Sequence, residues 1–382
     1  MLYLVLAAAL GFIPIAPQTD QSSPLSPRRE AAGSYTRVYY IAADELVWDY
    51  APAGQNMITG APFTPFQQMF TVRGPQQIGS RSKKALYREY TDATFHTLKP
   101  RAASDAYLGF LGPIIRAEVG DTIRVVFRNN GTHPYSMHPH GVFYEKESEG
   151  APYQDGITSE RKGSAVKPGE TFTYIWIASE RSGPSSMDGS SVLWMYHSHV
   201  NESADVNSGL IGPLIVTARG MARPDGSPKD VDRELVVTFA ETDENLSWFI
   251  DDNIKQYAID PEKVKKPRGP TFVDPFGATN LRESMNGFLF GNGPIATMKQ
   301  GERVRWYIMS TTNFELHAPH WHGNVVTAQH MRTDVLTLGT MGMIVADMVP
   351  DNPGTWLFHC HIEPHLTQGM ESLYTVLPTR AR

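Results

Sequence analysis

Short runs rich in Val, Ile, Tyr, Phe and Thr recur along the chain, among them DTIRVVFRN from Asp121, TFTYIWIAS from Thr171, ELVVTFAET from Glu234 and ERVRWYIMS from Glu302. Gly, Pro, Asn and Asp separate these runs, and the period of an amphipathic helix is scarce. The pattern predicts an all-β chain folded as antiparallel β-sandwiches with Greek-key connections.

An internal repeat divides the chain. GPIIRAEVGDTIRVVF begins at Gly112 and GPIATMKQGERVRWYI at Gly293, 181 residues later, each with a second glycine eight residues on (Gly120, Gly301) and an acidic residue next. Downstream, the first copy reaches MHPHG and then HSH, the second PHWHG and then HCH. Two homologous domains follow, 34–219 and 232–382, with the Gly/Pro/charge-rich segment 220–231 as linker. Ahead of them, residues 1–33 hold an apolar stretch too short to span a bilayer and then a polar, Pro/Ser-rich stretch, the pattern of an export signal and tether. A periplasmic or secreted protein without a membrane span is expected. An apolar share of 41% and a charged share of 19% suit a folded globular protein, and a net charge of −6 without runs of like charge argues against nucleic acid as partner.

Histidine supplies the candidate chemistry. Thirteen histidines in 382 residues would give about 0.4 His-x-His pairs by chance. The chain has four, His138/His140, His197/His199, His320/His322 and His359/His361, at matching places in the two repeats. On a strand, residues i and i+2 share a face, so each pair aims two imidazoles at one spot. Eight imidazoles without a carboxylate among them point toward copper. Cys360, the only cysteine, lies between His359 and His361 and must face the other way. An inert buried thiol, a nucleophile and a metal ligand are the three readings. His365 and Met370 follow at intervals of five and His317 lies upstream, so one thiolate, two imidazoles and a thioether form the ligand set of a blue electron-transfer copper.

These motifs, in this order, resemble the four copper motifs of the multicopper oxidases. The flanking text, YYIAADELVWDYAP from Tyr39, MHPHGVFYEKESEGAPYQDG from Met137 and GLIGPLIVTARG from Gly209, is similar to ceruloplasmin and the coagulation-factor A domains. With two cupredoxin-like domains in tandem, the chain resembles the two-domain laccases, with the blue copper in the second domain. The resemblance implies type 1 copper on His317, Cys360, His365 and Met370, and type 2 copper on His138 and His320. It implies a type 3 pair on His140, His197, His199, His322, His359 and His361, four coppers per active unit. The aligned first-domain positions are Tyr135, Ser198 and Leu210, so that domain should hold no blue copper.

The implied reaction is one-electron oxidation of a small reducing substrate, coupled to four-electron reduction of O2 to water. His365 would admit the electron, Cys360 would pass it on, and Asp155 in YQDG would supply protons unless it is a plain turn residue. Because the cluster needs two facing domains, the resemblance implies a head-to-tail homotrimer. Phenols and aromatic amines are the first substrate expectation, Fe(II) or Cu(I) the alternative. Against iron, ferroxidase members carry an acidic residue directly before the second type 1 histidine, where this chain has Pro364, with Glu363 one earlier. A non-catalytic scaffold would not need the full ligand set, and a copper nitrite reductase would carry its blue copper in the first domain. His96, His133 and His330 fall outside the set and read as structural or surface residues. Met331, Met341, Met343 and Met348 read as core filler before they read as a cuprous-ion path.

Overall fold

Strand Thr122–Asn129 buries Ile123, Val125 and Phe127 on one face, the alternation expected of a sandwich strand. Its counterpart Val304–Thr311 is buried at every position. One face, with Trp306 and Ile308, looks into its own sandwich, and the other, with Tyr307 and Met309, looks into a seam shared with the first sandwich. The computed structural model describes residues 35–156, 161–266, 274–311 and 315–379. The expected export signal and tether, 1–33, lie outside the described residues.

The first sandwich pairs a five-stranded sheet, in the order Arg81–Tyr90, Thr36–Asp49, Thr122–Asn129, Thr171–Ile177, Phe143–Tyr144, with a four-stranded one, in the order Ile115–Glu118, Ile211–Thr217, Ser191–His197, His138–Pro139. The second pairs a six-stranded sheet running from Leu281–Met285 to Met331–Thr333 with four strands in the order Ala296–Lys299, Glu371–Leu377, Gly354–Cys360, Pro319–Trp321. The fold is all-β and cupredoxin-like. One expectation needs correction: each of these sheets contains a parallel pair, as in Thr36–Asp49 with Thr122–Asn129 and Arg233–Asp243 with Val304–Thr311. Each pair is joined by a long connection, which is what parallel pairing requires and a hairpin turn cannot provide.

Residues 34–382 form one compact unit. In the seam, Leu193, Met195, Ile211 and Ile215 of the first sandwich pack with Val236, Ala240, Tyr307 and Met309 of the second. Polar links flank this contact. Arg305 makes a two-pronged contact with Asp347 and donates to the Ser190 and Ser191 hydroxyls, while buried Lys84 pairs with buried Glu244 at 2.8 Å. No helix among the described residues is long and apolar enough to cross a membrane.

The local structure that presents each first histidine pair is repeated. Gly141 and Gly323 close the two HxHG motifs with φ of 73° and 74°, and each lies against an indole. A Cβ would stand 2.1 Å from Trp194 at Gly141 and 2.4 Å from Trp356 at Gly323, so only glycine fits both the turn and the contact. Across each sheet the pairs then meet, His138 opposite His197 and His320 opposite His359.

Candidate metal centres

Alternation along Gly354–Cys360 separates two kinds of site. Cys360 turns into the second core, and its Sγ lies 3.4 Å from His365 Nδ1 and 3.9 Å from His317 Nδ1. The two Nδ1 atoms are 3.2 Å apart, and all three residues are buried. A short helix, Glu363–Gln368, carries His365, and Gly369 at φ 117° reverses the chain so that the Met370 carbonyl accepts the Cys360 amide at 3.1 Å. Met370 is fully buried in the same core as Cys360. Burial pushes the Cys360 thiol up, although the Ala318 amide donates to its sulfur at 3.2 Å. Burial, with His365 beside it, holds His317 down to about 3. Two imidazole nitrogens and a buried thiol sulfur are the donor set of a soft or borderline metal ion.

His359 turns the opposite way, its Nε2 3.1 Å from His322 Nε2, and the first sandwich repeats the contact between His140 and His197 at 3.1 Å. His138, His140, His197 and His199 form one quartet, with ring centroids 5.2 to 5.6 Å apart in the contacting pairs. His320, His322, His359 and His361 form the other, at 4.8 to 5.5 Å. In four of the eight rings Nδ1 faces a backbone carbonyl: Glu149 for His138, Ser198 for His197, Asp334 for His320 and Cys360 for His359. A ring that donates from Nδ1 presents a free lone pair at Nε2. Among the described residues, no ring contact joins one quartet to the other; His138 also meets Tyr144 edge-on, with centroids 6.0 Å apart.

Burial holds His140 at about 4 and His197 at about 3, with neighbouring imidazoles adding to the effect. These folded values lie below the ordinary one near 6.5, so the unfolded chain takes up protons first as pH falls, and stability is lost from about pH 6.5 down toward pH 3 to 4. Urea titrations of copper-free protein should therefore show wild type losing more stability between pH 6.5 and pH 4 than a His140→Gln/His197→Gln variant; equal losses would refute the assignment of buried neutral rings.

The first sandwich has no counterpart of the thiol site. Tyr135, Ser198 and Leu210 are buried at the aligned positions, and the Ser198 hydroxyl donates to Asp205 at 2.6 Å. Asp155 pairs with Arg161 at 2.6 Å and Lys146 at 3.5 Å. His96 and His330 are exposed, and His133 stacks on Trp248 with centroids 4.3 Å apart. Met341 and Met343 pack on the seam, Met348 lies in the second core, and Met331 is exposed.

One group escapes a sequence reading. Glu315, with its side chain 55% exposed, places Oε2 2.7 Å from His365 Nε2. Glu241 and Glu283 are strand partners behind it, and burial, with Glu241 and Glu315 nearby, pushes the Glu283 carboxyl well up. Glu363 is exposed at the start of its helix. The acidic group at the edge of the second histidine thus comes from fifty residues upstream, where adjacency to the HCH motif offers no signal.

Two sequence profiles described as multicopper oxidase match the chain, one over residues 107–220 and one over 265–380. The chain is 42% identical over 349 residues to human ferroxidase HEPHL1, covering 90% of this chain and 29% of that protein. It is 40% identical over 341 residues to human ceruloplasmin, covering 88% and 31%. It therefore spans less than a third of the length of these relatives. A crystal structure of a multicopper oxidase superposes with a TM-score of 0.54 at 19% identity, covering 89% of this chain and 88% of the other, which establishes the shared fold.

Proposed function

Because the chain belongs to the multicopper oxidase family, whose cofactor is copper, we propose that it oxidises ferrous ion at the expense of O2. The observation that carries this reading is the Glu315 carboxylate on His365 Nε2, open to solvent and backed by Glu241 and Glu283. An exposed carboxylate suits a hard, hydrated cation, whereas cuprous ion would call for thioether or thiolate. The relatives above include a protein named a ferroxidase, which supports the same choice. The metal alternative thus stands ahead of the laccase-like reading with phenols and aromatic amines.

We assign His317, Cys360, His365 and Met370 to a type 1 copper, His138 and His320 to a type 2 copper, and the other six paired histidines to a type 3 pair. The donor sets fit: Nδ1 and Sγ atoms converge at the first centre, and Nε2 atoms meet in His140 with His197 and in His322 with His359, while His199 Nε2 lies 3.2 Å from Glu202 Oε2. Bound copper would supply one-electron chemistry that couples four donor oxidations to reduction of O2 to two waters. Around it, Glu315 would hold the incoming cation at the edge of His365, and the peptide links from Cys360 to His359 and His361 are the shortest covalent connection between the two centres. For Asp155, the pairs with Arg161 and Lys146 favour an anchoring role over the proton supply that the resemblance implies. They tie down the segment whose Glu149 carbonyl orients His138. We read the sandwiches as the domains 34–219 and 232–382. In the second quartet His322 and His361 are open to solvent, and in the first His138, His140 and His199 are half-buried, so a head-to-tail homotrimer would complete each cluster between subunits.

Oxygen uptake with ferrous ion, cuprous ion and a phenol, in wild type and Glu315→Gln, tests the substrate. Losing one charge-assisted contact should lower kcat/KM for ferrous ion about tenfold or more, mainly through KM, with the phenol rate within about twofold. Equal losses on both donors would remove Glu315 from substrate binding.

A further inference from the structure

Comparison of the two half-sites isolates a buried carboxylate that the reaction does not use. In the second sandwich the Ala318 amide donates to Cys360 Sγ. At the equivalent place in the first, the Ser136 amide donates to Ser198 Oγ at 3.0 Å. The second sandwich then ties its sulfur to His365 on the following helix through the proposed copper. The first has Asp205 on its own following helix, Glu202–Asn207, fully buried. Asp205 Oδ2 accepts the Ser198 hydroxyl at 2.6 Å and the Val200 and Asn201 amides at 3.1 Å each. Its other oxygen accepts Trp248 Nε1 at 2.8 Å. The Ser136 hydroxyl accepts the amide of His199 at 3.0 Å, so the chain of contacts ends on a quartet histidine. Trp248 follows the first strand of the second sandwich, stacks on His133 and packs against the first core, so the carboxylate also joins the two halves of the chain.

Four donors on one buried carboxylate fix the turn 198–201 to its helix, the task that the metal performs in the other sandwich. We propose that Asp205 is the positioning residue of the first half-cluster, holding His197 and His199 in their presenting geometry in place of the type 1 copper that this sandwich lacks. The inference rests on the ligand reading of those two histidines. Without the carboxylate, the HSH turn keeps its sequence but loses its fixed direction, and His197 Nε2 no longer holds its 3.1 Å approach to His140 Nε2 before a metal arrives.

Asp205→Asn substitutes an amide nitrogen, itself a donor, for an oxygen that faces donors. In copper-free protein, hydrogen exchange at Val200 and Asn201 should quicken about tenfold or more. In copper-loaded protein, the copper outside the blue centre should fall and its paramagnetic signal broaden, while blue absorption per protein stays at the wild-type level. Wild-type exchange together with wild-type cluster copper would overturn the proposal. If Asp205→Asn fails to fold, Ser198→Ala and Trp248→Phe each remove one donor and should move both readouts the same way by smaller factors; no movement in either variant overturns it equally. His197→Ala separates the two readings. If it retains full copper, the ligand assignment fails, whereas if it loses cluster copper and Asp205→Asn does not, only the role of Asp205 fails.

Discussion

Replacing Cys360 with serine should remove the blue absorption and lower oxidase turnover about a thousandfold, a barrier increase of ~4 kcal/mol, while leaving the copper held by the two histidine quartets. The expectation follows from the opposed faces of one strand. Cys360 enters the second core with His317 and His365, whereas His359 faces His322 and His320. A serine hydroxyl is smaller and harder than a thiolate and stays protonated in a buried pocket, so it offers neither the charge nor the softness that this donor set requires. The quartets lose no ligand atom. Metal analysis beside the visible spectrum checks both halves of the statement: loss of one copper per chain with the colour is the expected result. A serine variant that keeps its colour, or one that loses all its copper, would show that sulfur and imidazoles share a single centre.

The second large effect is recovery of activity from two inactive chains. His138→Ala/His140→Ala destroys the first quartet and His320→Ala/His322→Ala the second, so each variant alone should be without oxidase activity. In a head-to-tail ring, an intact first sandwich of one chain meets the intact second sandwich of its neighbour. Every mixed trimer then contains one complete cluster. With free exchange of subunits, an equal mixture should regain about a quarter of wild-type turnover. Were both halves of a cluster supplied by one chain, mixing would restore nothing. Sedimentation of the copper-loaded wild type gives the independent check, since a fully loaded species with the mass of one protomer cannot be a ring. The partition of ring contacts into two separate quartets among the described residues is the structural reason to expect complementation.

Much of the site is written in local order. An extended strand has a side-chain period of two, so HSH and HCH fix two imidazoles on one face and the middle residue on the other before any tertiary contact forms. The same holds for the HxHG motifs, where the glycine requirement arises from one turn and one indole. Glu315 and Asp205 had no such rule to announce them. Glu315 is two residues before His317 but acts on His365, and a strand pattern does not state which distant side chain a loop carboxylate will meet. Asp205 sits on a short helix of an otherwise β-rich domain, and Trp248 reaches its second oxygen from beyond the linker. The chain neighbours of His365 are Pro364 and Glu363, whereas the fold brings Glu315 to it in space.

The amino-acid order by itself determined the two repeats, the all-β character, the eight paired imidazoles and the separation of Cys360 from its flanking histidines, because each depends on periodicity over a few residues. Only the tertiary structure decided that Glu315 meets His365, that the Asp205 carboxylate meets Ser198 in the first sandwich, and that no ring contact among the described residues joins the two quartets. Those outcomes depend on which segments, roughly forty to fifty residues apart, are packed together by the shared cores, which no local period of the chain encodes.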